Sequence, residues 1–126
     1  MPQAGSATYT GFVAGQVMGA QSGYVQGQLN MNVDFGARSV GGSMNNLNFN
    51  NNPATPWVTQ ANLAGGINEG TATYSAAISG IGVAGGANGA FFGPQAIETG
   101  GNWAIQKQDG SQGAGIFAGK RGNIAQ

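Results

Sequence analysis

Between Val25 and Phe35 the chain keeps a period of two. Val25, Leu29, Met31, Val33 and Phe35 stand on one face, and Gln26, Gln28, Asn30, Asn32 and Asp34 on the other. Successive side chains point to opposite sides only in an extended strand, so this stretch reads as a strand with one face in a core and the other in water. Gly36 to Arg38 turns it into a second strand, 39–49, whose apolar set begins at Val40 and Met44 and ends at Leu47 and Phe49. The move from even to odd positions needs one extra residue, which predicts a β-bulge near Asn45-Asn46.

The same period recurs along the chain. Tyr9, Val13 and Val17 oppose Thr8, Thr10 and Gln16, with Gly11 and Gly15 on the apolar face, where bending or close approach would require them. Trp57, Ala61 and Leu63 alternate more weakly with Val58, Gln60 and Asn62, and Ala72, Tyr74, Ala76 and Ile78 alternate with Thr71, Thr73, Ser75 and Ser79. Ala90, Phe91 and Phe92 form a short run in which one phenylalanine must face outward. Gly93-Pro94 breaks that run, and residues 95–99 are the one credible helical turn. Trp103 and Ile105 share a face, Asp109-Gly110 signals a turn, and the chain returns over 113–121 as a hairpin. The strand candidates are therefore 7–18, 25–35, 39–49, 57–63, 71–79, 89–92, 102–108 and 113–120, and Gly80 to Asn88 reads as a flexible connection. Turn signals every 8–12 residues or so with almost no helix point to an all-β fold, a single antiparallel eight-stranded up-and-down barrel or a sandwich. Eight strands leave an interior just wide enough for side chains to fill.

A chain of 126 residues suits one domain with one modest core. The expected division is a disordered or cut N-terminal end over 1–6, a barrel over 7–121 and a C-terminal tail over 122–126. The 25 glycines show no Gly-X-Y period and only 4 prolines accompany them, which excludes collagen and argues against a proline-rich linker. Four basic residues balance four acidic ones, leaving no electrostatic footprint for nucleic acid. No apolar run reaches the roughly 18 residues of a membrane helix, so the chain is not expected to span a membrane as one.

Catalytic and metal chemistry find little to work with. Without cysteine or histidine, metal binding lacks its usual ligands, and no cofactor is expected. Gly80, Gly82 and Gly85 spell GxGxxG, but no helix follows to make a dinucleotide site. Asp34, Glu69, Glu98 and Asp109 are the only carboxylates, none with a close partner in sequence. Asp34 reads as solvated and Asp109 as serving its turn. Haem ligation would fall to Tyr9, Tyr24, Tyr74 or a methionine and is set aside. The chain is not expected to be an enzyme.

A resemblance enters at the C-terminal part. Phe91, Phe92, Gly93, Pro94, Ala96, Glu98, Gly100 and Gly101, followed after a hairpin by Phe117, Gly119, Lys120 and Arg121, resemble in order and spacing the closing segment of the β-barrel domain of transferrin-binding-protein-B-like surface lipoproteins. The phrase LNMNVDFGARSVGG, Leu29 to Gly42, resembles the recurrent strand, Asp-Phe-Gly turn and strand of the same family. The resemblance implies a structural motif, to which Trp103 is added, closing the barrel against its first strand. It places Glu98 where it could accept backbone N–H bonds or pair with Lys120 or Arg121, although a merely solvated or fold-stabilising end is the plainer reading. It also implies an exported protein at the bacterial cell surface, outer-membrane-associated, periplasmic or secreted, with an export signal upstream and more chain around the barrel. Relatives that bind host iron proteins pair each barrel with a handle domain. This chain has one barrel's length, so transferrin binding is not carried over.

The most exposed loop is expected at Asn50 to Pro56, making Asn50, Asn51, Asn52 and Trp57 the candidate partner loop. Three functions stay open: a non-catalytic binding and presentation module that meets a protein or glycan through recognition loops expected within Gly41 to Gly66 and Gly80 to Asn88, a purely structural C-terminal barrel of a larger envelope protein, and a carrier of a small hydrophobic ligand.

Overall fold

The computed structural model describes residues 2–124. The strands are β1 (Ser6–Met18), β2 (Gly23–Asp34), β3 (Ser39–Phe49), β4 (Pro56–Ile67), β5 (Thr73–Gly80), β6 (Val83–Phe92), β7 (Glu98–Lys107) and β8 (Gln112–Arg121). Each pairs antiparallel with the next, and β8 returns to β1 from Tyr9↔Arg121 to Met18↔Gln112, closing an eight-stranded barrel. The turns after β1, β3, β5 and β7 gather at one end, here the upper. The turns after β2, β4 and β6 lie at the lower end, where β1 begins and β8 finishes.

The alternation in sequence becomes the inside and outside of the wall. Val25, Leu29, Met31 and Val33 of β2 are buried, as are Tyr9, Val13 and Val17 of β1, Tyr74, Ala76 and Ile78 of β5, and Trp103 and Ile105 of β7. Phe91 points inward and Phe92 outward, with 6% and 55% of their surfaces exposed. The bulge falls where the phase change requires it. Against β2, the register passes from Gln28↔Asn45 to Gln26↔Asn48, so β3 spends one more residue than its neighbour, and Asn46 takes a φ of 57°. Asparagine tolerates this left-handed geometry better than most residues.

Two sequence expectations about strand extent are corrected. The glycine-rich stretch read as a flexible connection is mostly strand: β6 begins at Val83, leaving only Ile81 and Gly82 as its turn from β5. The one short helical turn expected near 95–99 is present as a single 3-10 turn, Pro94–Ala96, with Glu98 already in β7. β4 reaches Ile67 rather than stopping at Leu63. At the chain ends, the Phe35 N–H donates to the Gly5 carbonyl and the Gly122 N–H to the Thr8 carbonyl, so part of each expected flanking segment is fastened to the barrel. Met1, Ala125 and Gln126 lie outside the described residues.

The interior is filled in layers. At the lower end Phe91 meets Tyr74, Tyr9 and Phe35 at ring-centroid distances of 4.9, 5.5 and 6.0 Å. At the upper end Trp57 and Trp103 lie 6.3 Å apart. Leu29, Met44, Leu47, Val13 and Ile105, all buried, complete the core. Glycine makes room for the aromatic rings. Gly15 pairs with Gly115 across the β1–β8 seam, Trp103 sits opposite Gly115 on β7, and a Cβ on Gly15 would stand 2.5 Å from the Trp103 ring. Gly89 gives Tyr74 the same clearance, 2.5 Å. No buried side-chain nitrogen or oxygen among the described residues lacks a hydrogen-bond partner.

Candidate functional site

The motif of the C-terminal part closes the lower end. Gly93 adopts φ 78° and ψ 177°, a region nearly reserved for glycine, and so turns the chain off β6 and across the mouth of the barrel. Pro94 opens the 3-10 turn, and Gln95 and Ala96 follow with φ of 54° and 56°. Long-range bonds hold this left-handed pair. The Tyr9 hydroxyl donates to the Ala96 carbonyl at 2.6 Å, the Arg121 Nε to the Gln95 carbonyl at 3.0 Å, and the Arg121 N–H to the Ile97 carbonyl at 3.0 Å. Ala96 is buried beneath. Gly93→Val is expected to destabilise the barrel by about 1–3 kcal/mol, because a β-branched residue resists this backbone conformation and its Cβ would crowd the Ile97 methyl at 2.7 Å. An unchanged denaturation midpoint would contradict this account of the turn.

The other motif residues also serve packing and register. Gly101 faces the Phe117 ring, which a Cβ there would approach to 2.8 Å, and Gly119 lies where a Cβ would press on Leu29 at 3.2 Å. Gly100 stands beside the outward Phe92 ring. Glu98 lies opposite Lys120 in the β7–β8 register, yet the ion pair among the described residues is Lys107 with Asp109 at 3.9 Å. The plainer reading of Glu98 as an exposed end fits this placement.

Two buried tyrosines make the lower end sensitive to alkali. Thr99 Oγ1 spends its proton on the Ala90 carbonyl at 2.8 Å, so the Tyr74 hydroxyl must donate to Thr99 Oγ1, at 2.7 Å. Burial pushes the hydroxyls of Tyr9 and Tyr74 up to about 12. In the unfolded chain they ionise near 10, so this part of the stability is whole below pH 10 and is lost between about pH 10 and 12 as the unfolded state sheds protons first. Urea midpoints followed by circular dichroism should fall across that window, and a flat profile would contradict the burial of the two hydroxyls.

The upper end is built differently. The stretch Gly41 to Gly66, expected to hold a recognition loop, is mostly strand in β3 and β4, and the continuous run of exposed residues connecting them is Asn50 to Pro56. It is nevertheless ordered by its own bonds: the Asn50 N–H donates to the Tyr24 carbonyl, the Phe49 N–H to the Thr55 carbonyl and the Thr55 hydroxyl to the Phe49 carbonyl. Asn50 and Asn51 take φ of 55° and 56°, which explains asparagine at these positions. The structure thus exposes three of the four candidate loop residues and withdraws the fourth. Trp57 is 3% exposed, because a register shift opposite Leu47 and Asn48 turns both Trp57 and Val58 inward. Its indole N–H donates to Ser111 Oγ at 2.9 Å, and that hydroxyl donates to Asp109 Oδ1 at 2.5 Å. The two bonds from Ser111 hold the Asp109 carboxyl below its usual range. The sequence signalled Asp109-Gly110 as a turn but gave Ser111 no role, since a buried hydroxyl after a turn looks like any solvated serine.

Asp34 accepts the Ala37 N–H at 2.9 Å and Asp109 serves its own turn, so two of the four carboxylates are engaged locally. No group of three acidic or other metal-ligating side chains converges among the described residues. No helix there is long and apolar enough to cross a membrane.

Comparison with known proteins agrees with this scaffold. The family model described as the C-lobe and N-lobe β-barrels of Tf-binding protein B matches residues 1–121. Among solved structures, transferrin-binding protein B of isotype 1 from serogroup B Neisseria meningitidis superposes with a TM-score of 0.71 at 16% identity, covering 97% of this chain and 26% of that one. A double mutant of transferrin-binding protein B from Haemophilus parasuis Hp5 gives 0.69 at 22% identity, covering 96% and 26%. The chain therefore spans about a quarter of the length of those proteins. No curated protein matches it by sequence. With the family model spanning nearly the whole chain and a closed eight-stranded barrel in the structure, the chain belongs to the family of transferrin-binding protein B β-barrel domains.

Proposed function

We propose that the domain is a non-catalytic binding and presentation module of an exported or surface protein of bacteria, meeting a protein or glycan through its upper-end loops. The observation that carries this reading is the exposed run Asn50 to Pro56, held at one end of a barrel whose interior is occupied by its own side chains. A scaffold packed solid has its recognition surface outside, and loops fixed on a rigid wall are where binding residues concentrate. The family supports a surface setting and a macromolecular partner, since the similar solved structures are of proteins named for binding transferrin. Low charge and exposed amides suit hydrogen bonding to a protein or glycan better than capture of an ion.

Two labels test the reading in the parent protein of the native bacterium. A peptide epitope inserted between Asn51 and Asn52 should be stained by antibody on intact cells, and staining only after permeabilisation would refute surface display. A photo-cross-linking residue in place of Asn51 should trap a host protein or glycoprotein, whereas one in place of Asn102, on the outer wall, should not. Equal trapping at both positions would refute recognition through the loop.

A further inference from the structure

One seam of the barrel is only half paired. β4 pairs with β3 from Asn48↔Pro56 to Ser39↔Gly66, but with β5 only from Asn62↔Ser79 to Ile67↔Tyr74. β5 stops at Gly80, and the chain turns through Ile81 and Gly82 into β6. Residues 57–60 consequently have a strand on one flank and none on the other. The groups left over follow from the alternation of the ladder. Ile67 donates its N–H to Arg38 on the β3 side, and Asn68 donates its own to Thr73 on the β5 side. Even-numbered residues of this regular stretch therefore point towards β5, and Gln60 directs its N–H and carbonyl to where β5 has ended. The position of Gly80 agrees, since a Cβ there would lie 3.1 Å from the Gln60 carbonyl oxygen.

The place of the absent strand is a cleft of about 560 Å³. Besides the β4 backbone, it is walled by Ile81, Val83 and Lys107. Ile81 is fully exposed at the tip of its turn. Lys107 Nζ donates to the Trp57 carbonyl at 2.6 Å, so a flexible side chain occupies an acceptor near the strand-like edge. Pro56 protects only the start of β4.

We propose that this half-edge is a docking site for an extended peptide segment, which adds to β4 as a short antiparallel strand in line with β5. The occupant follows from the chemistry of the edge. The N–H and carbonyl that Gln60 presents at this edge are matched by another extended backbone, and alternate side chains of the guest then fall on one wall. That wall is apolar at Ile81 and Val83, and Lys107 already has Asp109 at 3.9 Å, so the guest is an uncharged segment with apolar residues at every second position. Four residues at about 3.3 Å each match the run 57–60. This surface is separate from the Asn50 to Pro56 loop, and it can fail or hold independently of the loop's role.

The test uses random hexapeptides displayed on phage and selected on the purified chain. Enriched sequences should alternate apolar and polar residues. A synthetic copy of one should slow exchange of the Gln60 amide proton by about tenfold or more in NMR, and N-methylation of its alternate amides should abolish binding. Ile81→Asp, at a fully exposed position that the fold does not need, should remove the enrichment. The proposal is overturned if no peptide is enriched, if the Gln60 amide is already protected in the free protein, if protection appears only over residues 50–55, or if sedimentation shows that the edge is taken by a second copy of the chain.

Discussion

Trp103→Ala is expected to lower the stability of the barrel by about 3–5 kcal/mol, the range for removing a large aromatic side chain from a packed core. The ring fills the upper interior against Trp57, and its loss leaves a cavity between β7 and the β1–β8 seam. The indole N–H adds a second part. It reaches the Ile116 carbonyl at 3.1 Å and the Ala14 carbonyl at 3.3 Å, one on each strand of the seam at which the barrel closes. Alanine leaves both without that donor. Chemical denaturation should show the midpoint falling with the slope retained, and a variant as stable as the parent would remove Trp103 from the closing contact.

Gly15→Ala is expected to cost about 1–3 kcal/mol through crowding, because the new methyl meets the Trp103 ring and the Ala114 carbonyl oxygen, each at 2.5 Å. The two substitutions strike the same place from opposite sides. In the double variant the methyl no longer meets the indole, so the combined loss should be smaller than the sum of the single losses by about 0.5–3 kcal/mol, as for residues in direct contact. The carbonyl contact remains, so the relief is partial. Strict additivity would show that the glycine is not there to accommodate the ring.

These two positions also show what a sequence can and cannot reveal. Where side chains alternate in polarity, as from Val25 to Phe35, the buried face could be read residue by residue, and the phase change after Met44 located the bulge at Asn45-Asn46. β6 hid itself because glycine and alanine have no polarity to alternate. Its inward face runs through Gly85, Ala87 and Gly89 to Phe91, kept small because Tyr74 and the residues of β7 occupy the space. The loop at Asn50 to Pro56 was visible from its proline and asparagine content. Trp57 was not assignable in the same way: its exposure depended on a register shift between β3 and β4, which local pattern does not encode. The half-paired edge of β4 is less visible still, because it arises from the unequal lengths of two neighbouring strands.

The family assignment gives a closed barrel, and side chains of the chain itself occupy its interior. Tyr9, Tyr74 and Phe91 fill the lower end, Trp57 and Trp103 the upper, and the Gly93 to Ile97 turn lies across the lower mouth. A carrier would need that volume for cargo. Native mass spectrometry of the protein purified from its native source under non-denaturing conditions tests this most directly. A filled scaffold predicts a mass that is the same before and after denaturation. A stoichiometric small hydrophobic adduct, lost when the protein is unfolded and regained on refolding, would show that the interior holds a ligand and would contradict the account.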